Sequence, residues 1–231
     1  MSTPTSASGP AGQASWSELY RGARERVTGL VMAHPEATNR PVPATPGWRV
    51  HDVVAHLAGA AEDLATGWRP TGGPTDDWTA THVARGREAS THHLLARWAQ
   101  VGPTVEQVLD AGSAWQIILD AGAHEHDLRG ALGDTAARDT ELVAFGATAL
   151  IQTLRVPLPL TVKIEHHQQQ VGPHTDQQHP ATLSTTRFET FRWRLGRRSR
   201  RQLAAMDWSI DPTPYLDHLC VFGPANSDLI E

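Results

Sequence analysis

At 231 residues, with a formal net charge of -5 and a pI near 6.2, the chain is long enough to bury a substantial core and too acidic for a dedicated nucleic-acid binder. Cys220 is its sole cysteine, which excludes an internal disulfide and a cysteine-built zinc cluster. No apolar run reaches bilayer length and no charged-then-apolar leader is present, so a reducing, cytoplasmic setting is the expectation.

The segment MSTPTSASGPAGQAS, residues 1–15, is rich in Ser, Thr, Pro and Gly and is expected to be a disordered tail. From Trp16 the apolar positions Leu19, Val27, Leu30 and Val31 recur at helical spacing, and the helix is expected to end before His34-Pro35. The proline-rich stretch RPVPATPGWRV leads into a second helix over 50–68, with Val53, Val54, Leu57 and Leu64 as its apolar face and His56 among them. RPTGGPTDDW is a turn cluster, after which a single third helix is predicted over 79–101, carrying Val83, Leu94, Leu95 and Trp98. Gly102-Pro103 is expected to break it, with a short turn over 105–109. A fourth helix is expected over 114–132, closed by Gly133 as a C-cap glycine, and a further helix over 141–154 packs on the bundle or links it to the C-terminal region.

Near residue 155 the texture changes. VPLPLTVKIEHH alternates as a strand does, QQQVGPHTDQQHP is expected to be a polar loop, and ATLSTTRF is a second strand. ETFRWRLG and RSRRQLAAMDW are expected to be short helices, and DPTPYLDHLCVFGP a proline-broken tail with an apolar patch that docks. The expected organisation is therefore a tail over 1–15, a helical bundle over 16–155 and a small α/β region over 156–231. Lys163 is the only lysine and alanine is abundant, the codon bias of a GC-rich genome as in actinobacteria. Eight tryptophans are many for this length, and either they anchor core and interfaces or some line a pocket.

The fourth helix carries the chemistry. In ILDAGAHEHDLRGALG, Asp120, His124 and Asp127 stand at i, i+4 and i+7, on one helical face. Two carboxylates and an imidazole inside a bundle are costly to bury without partners, and a divalent ion of the zinc type removes that cost by taking them as ligands. A third ligand from a facing helix, for which His56 is the candidate, would give two nitrogens and one carboxylate with positions left open. Taken separately, Asp120 and His124 make an ordinary intrahelical pair of roughly 0.2–0.5 kcal/mol, and His56 an ordinary satisfied histidine. His166, His167, His174 and His179 lack regular ligand spacing and are expected to be a polar surface loop, and His51, His126 and the His92-His93 pair carry no comparable pattern.

Three stretches connect these residues. TPGWRVHDVVAHLAGAAEDL resembles the second-helix signature of the DinB-like, mycothiol-dependent maleylpyruvate isomerase family: a Pro-Gly-Trp turn, then a helix with His-Leu and small residues after it. HEHDLRGALG resembles that family's fourth-helix signature, and FETFRWRLGRRSRRQLAAMDWSIDPTPYLDHLCVFGP is similar to its C-terminal stretch. The resemblance runs in matching order over most of Trp16 to Pro224. It implies a mostly α fold: a DinB-like four-helix bundle followed by a small sterol-carrier-like α/β domain. It also implies a divalent metal, zinc foremost, on the histidine of the His-Leu motif and on a Glu-x-x-x-His pair, positions occupied here by His56, Asp120 and His124. Asp120 departs from the usual glutamate. One methylene fewer leaves its carboxylate roughly 1.3–1.5 Å short, where metal–oxygen distances tolerate about 0.2 Å. Asp127 is expected behind the ligands, orienting an imidazole or capping an adjacent helix.

The activity implied is that of a metal-dependent, mycothiol-using isomerase or thiol S-transferase acting on a small electrophile. The metal lowers the pKa of an external low-molecular-weight thiol, mycothiol serving as cofactor or co-substrate. No protein nucleophile is assigned, since Cys220 lies in an apolar tail where burial raises its pKa. Arg197 and Arg198, in the basic cluster with Arg200 and Arg201, either clamp a substrate carboxylate or a cofactor polar group across the domain interface or form a solvated face. The expected partners are these small molecules, with no nucleic acid or membrane, and the chain a monomer or weak homodimer. The alternative is a non-catalytic DinB-like module that binds metal or ligand at a degenerate site; lipid carriage by the C-terminal region rests on fold analogy alone.

Overall fold

Ser15 starts the first helix: its hydroxyl accepts from the Glu18 amide while the Glu18 carboxylate accepts from the Ser15 amide, a reciprocal cap that fixes the start of α1 (Trp16–Ala33). The computed structural model describes residues 14–68, 75–173 and 180–231. The next elements are α2 (Val50–Ala65), α3 (Asp76–Gly86), α4 (Thr91–Asp110), α5 (Gln116–Leu132) and α6 (Glu141–Gln152). Then come β1 (Leu160–Ile164), β2 (His167–Val171), β3 (Ala181–Thr185), α7 (Arg187–Arg194), α8 (Arg200–Ala204) and β4 (Asp207–Trp208). None of the described helices is long and apolar enough to cross a membrane.

The chain divides into two compact units, one ending at Ala136 and the other spanning Ala137–Ile230. In the first, α1, α2, α4 and α5 form a four-helix bundle, and α3 packs along α2. Its core holds Tyr20, Val27, Val53, Leu94, Trp98, Leu109, Ile118 and Leu128, and the Trp98 indole donates to the Tyr20 hydroxyl at 2.7 Å. Gly133 ends α5 in the left-handed conformation, φ 73°, the C-cap expected of it.

The single helix expected over 79–101 is corrected to two. Gly86 lies so close to α2 that a Cβ there would meet the Ala55 Cβ at 2.5 Å, and four residues on, the Ser90 hydroxyl caps a new helix by accepting from the His93 amide. Nor does Gly102-Pro103 break the chain: Pro103 lies inside α4. A proline in that position costs about 3 kcal/mol. The helix continues because Val105 and Leu109 are fully buried beyond it and Glu106 pairs with Arg21 and Arg24 of α1. The turn expected over 105–109 is therefore helical.

In the second unit α6 packs on α7, and four strands run in the order β2-β1-β3-β4. β1 and β3 are parallel, while β2 on β1 and β4 on β3 are antiparallel. Packing thus divides the chain after Ala136, whereas composition changes near residue 155; α6 is helical in texture and lies with the C-terminal unit. Two expectations are corrected here. Part of the polar loop is β2, an exposed edge strand whose glutamines are tolerated because only β1 pairs with it. The last short helix stops at Ala204, and Asp207–Trp208 turns into β4 against β3. His174 and His179 lie outside the described residues. Trp193, Leu183, Val162 and Leu203 form the core, which Tyr215, Leu216 and Leu219 of the tail join.

Candidate metal centre

α5 presents Asp120 and His124 one turn apart, and α2 brings His56 to meet them; ligand atoms of all three lie within 4.8 Å of one another. Among the described residues this is the one group of His, Cys, Asp or Glu that converges in this way. The Asp120 Oδ1 lies 3.3 Å from the His56 Nε2 and 3.5 Å from the His124 Nε2. Donors held at about 2.0–2.1 Å by a tetrahedral ion stand about 3.3 Å apart, and the two separations from Asp120 are close to that spacing.

Hydrogen-bond polarity tests whether the donor set suits a cation. The His124 Nδ1 is 2.9 Å from Oδ2 of the buried Asp127, so it carries the ring hydrogen and donates. In the neutral ring its Nε2 is then an acceptor facing the Asp120 carboxylate. Two acceptors aimed at each other repel unless a positive charge sits between them, and either a proton on Nε2 or a divalent ion supplies it. The two imidazoles are buried, whereas the Asp120 side chain is 33% exposed, so solvent reaches the group from the carboxylate side.

Tryptophans surround the rings. Trp48, from the Pro-Gly-Trp turn, stacks on His124 with ring centroids 6.0 Å apart and tilts over His56 at 5.3 Å. Trp78 of α3 meets His56 and His82 edge-on at 6.2 and 4.4 Å. Sequence reasoning missed His82, whose Nδ1 is 3.1 Å from the His56 Nδ1, and Asp63, whose Oδ2 is 3.0 Å from the His82 Nε2. Burial pushes the Asp63 carboxyl up, but hydrogen bonds from His82, Arg85 and Trp78 outweigh it and leave its pKa below the ordinary value. Burial likewise holds His82 below the usual histidine range despite its bond to Asp63. A signal was present: His56, Gly59 and Asp63 stand at i, i+3 and i+7, on one face of one helix, as Asp120, His124 and Asp127 share a face of α5.

The other candidates have separate surroundings. In the second unit, Arg198 is buried and paired with Glu189 through two bonds of 2.6 and 2.8 Å, and Arg197 donates to the Leu195 carbonyl at 2.7 Å. Arg200 pairs with Asp217 and Arg201 with Asp228. His166 and His167 are exposed, and His51 is bonded to the Ala89 carbonyl. Burial pushes the Cys220 thiol up to about 11, against the partial relief of nearby Arg194. At pH 8 the thiol is therefore protonated in the native chain. Iodoacetamide alkylation is expected to be at least tenfold slower for folded than for urea-unfolded protein. Equal rates would mean that the thiol is not shielded.

The profile described as "Mycothiol maleylpyruvate isomerase N-terminal domain" matches residues 20–138, just over half of the chain. The chain belongs to the mycothiol maleylpyruvate isomerase family. Two solved structures share its fold. A histidine-to-alanine mutant of the mycothiol-dependent maleylpyruvate isomerase superposes with a TM-score of 0.57 at 15% identity, covering 85% of this chain and 92% of that one. A structure of the mycothiol-dependent maleylpyruvate isomerase gives 0.53 at 13% identity, with the same coverage. No curated protein matches. The family match spans α2 and α5, so all three members of the centre lie within it.

Proposed function

We propose that this family member is a metal-dependent isomerase or thiol S-transferase that uses mycothiol against a small electrophile, with zinc held by His56, Asp120 and His124. The observation that carries the reading is the convergence of those three side chains within 4.8 Å, two imidazole nitrogens and one carboxylate. A divalent ion there supplies Lewis acidity and favours the thiolate form of a thiol at neutral pH. The chain's own residues do the rest. Asp127 orients His124, Trp48 packs against both imidazoles and excludes water from them, and the half-exposed Asp120 leaves an approach from solvent. Cys220, with its raised pKa, is no rival nucleophile, so the thiol is external. On family resemblance alone, Arg197 and Arg198 are assigned to substrate or cofactor polar groups. The resemblance also supports a bundle followed by a C-terminal domain, composition supports a cytoplasmic, actinobacterial setting, and the chain is proposed to be a monomer or weak homodimer.

The purified full chain is expected to hold about one zinc per molecule and to turn over maleylpyruvate only when mycothiol is added. Metal without mycothiol-dependent turnover of this or related activated electrophiles would mark the non-catalytic binding module instead. A chain that takes up no zinc overturns the reading.

A further inference from the structure

We propose that Asp63 and His82 are positioning residues for the metal centre: through His56 they dictate which of its ring nitrogens faces Asp120 and His124. The inference rests on the reading of those three residues as the metal site.

The relay of hydrogen bonds starts at Asp63. Its carboxylate accepts from the Trp78 indole at 2.9 Å and from Arg85 at 2.8 Å, two side chains that can only donate. Fixed by them, it takes a third hydrogen bond from the His82 Nε2 at 3.0 Å, so that nitrogen carries the ring hydrogen. A neutral imidazole has one N–H, which leaves the His82 Nδ1 as an acceptor. It faces the His56 Nδ1 at 3.1 Å, and only a hydrogen on His56 makes that contact a bond. The His56 Nε2 is then a lone pair, 3.2 Å from an Asp120 oxygen, which is the form a metal takes. One carboxylate on α2 thus sets the tautomer of a ligand on the same helix by way of a histidine on α3. The His56 and His82 side chains are 2% and 0% exposed, so bulk water does not compete for these bonds.

Gly59 gives independent support. A Cβ at this position of α2 would lie 2.8 Å from three atoms of His82, including two of its ring. The absence of a side chain between His56 and Asp63 makes the room in which the His82 ring lies against both. Methylating that position alters no polar group and still displaces the ring.

The test is Zn(II) affinity of the full chain, by competition with a chromophoric chelator, alongside the visible spectrum of the Co(II)-loaded protein. His82→Leu removes the acceptor and is expected to weaken Zn(II) binding roughly 10- to 100-fold. His82→Asn places an amide oxygen near the lost Nδ1 and should recover most of that loss, with a Co(II) spectrum close to that of wild type. Gly59→Ala should weaken binding about tenfold and remains informative where His82→Leu does not fold, as judged by circular dichroism. Wild-type affinity in both His82→Leu and Gly59→Ala, or equal losses in the leucine and asparagine variants, overturns the positioning role while leaving the site intact. A wild-type chain that binds no Zn(II) overturns the site, and this inference with it.

Discussion

His124→Ala and His56→Ala are each expected to reduce zinc affinity by about two to three orders of magnitude. A four-ligand zinc site is worth about 10–16 kcal/mol, so each ligand contributes about 3–4 kcal/mol, and every 1.4 kcal/mol is a factor of ten. The proposed centre has three protein ligands, so losing one leaves two, too few to retain the ion through gel filtration. Neither neighbouring carboxylate substitutes for the lost imidazole, because Asp127 lies behind His124 and Asp63 behind His82. Metal content after desalting reads the effect directly. Thermal unfolding reads it independently: zinc at a hundred times its dissociation constant stabilises the native state by about 2.7 kcal/mol, so wild type should gain several degrees and the variants almost none. Stoichiometric zinc in both variants would place the metal elsewhere, the exposed histidines His166 and His167 being the first alternative.

Removal of Glu125 is the second large effect, and it falls on stability. Glu125 follows His124 in sequence but projects toward α1, where Arg26 grips it through bonds of 2.8 Å to each oxygen. Arg129, one turn along α5, binds Oε1 at 3.1 and 3.0 Å, and its remaining arm reaches Asp134. A carboxylate only 1% exposed thus compensates two guanidinium groups. Glu125→Ala strands Arg26 and leaves Arg129 with Asp134 alone, and breaking a buried pair from one side costs about 3–5 kcal/mol. The lower end applies because Arg26 is 30% exposed and regains some hydration. Urea unfolding followed by tryptophan fluorescence measures the loss, and a change under about 1 kcal/mol would show that the cluster behaves as a surface pair. Zinc affinity should be unchanged, which separates this carboxylate from its sequence neighbour.

The chain by itself determined the features that depend on local periodicity and capping. The first, second and fifth helices follow from apolar spacing, and the left-handed Gly133 from its place after the last apolar turn. The stripe of Asp120, His124 and Asp127 follows from the helical repeat alone, and family resemblance singled out His56 from thirteen histidines. Tertiary structure decided what depends on elements distant in sequence. Pro103 reads locally as a breaker, yet it is helical because Glu106 and Leu109 beyond it are held against the bundle. The polar segment after β1 becomes β2 because an edge strand needs a partner on one side only. His82 joins the centre because Gly59 and Gly86 let α3 approach α2 more closely than side chains would allow. The reach of Asp120 could not be read from its length, since a carboxylate shorter by one methylene closes the gap only if the facing helix stands near enough. That separation is set by the packing of α2 on α5, which brings the Asp120 carboxylate to 3.3 Å from the His56 nitrogen.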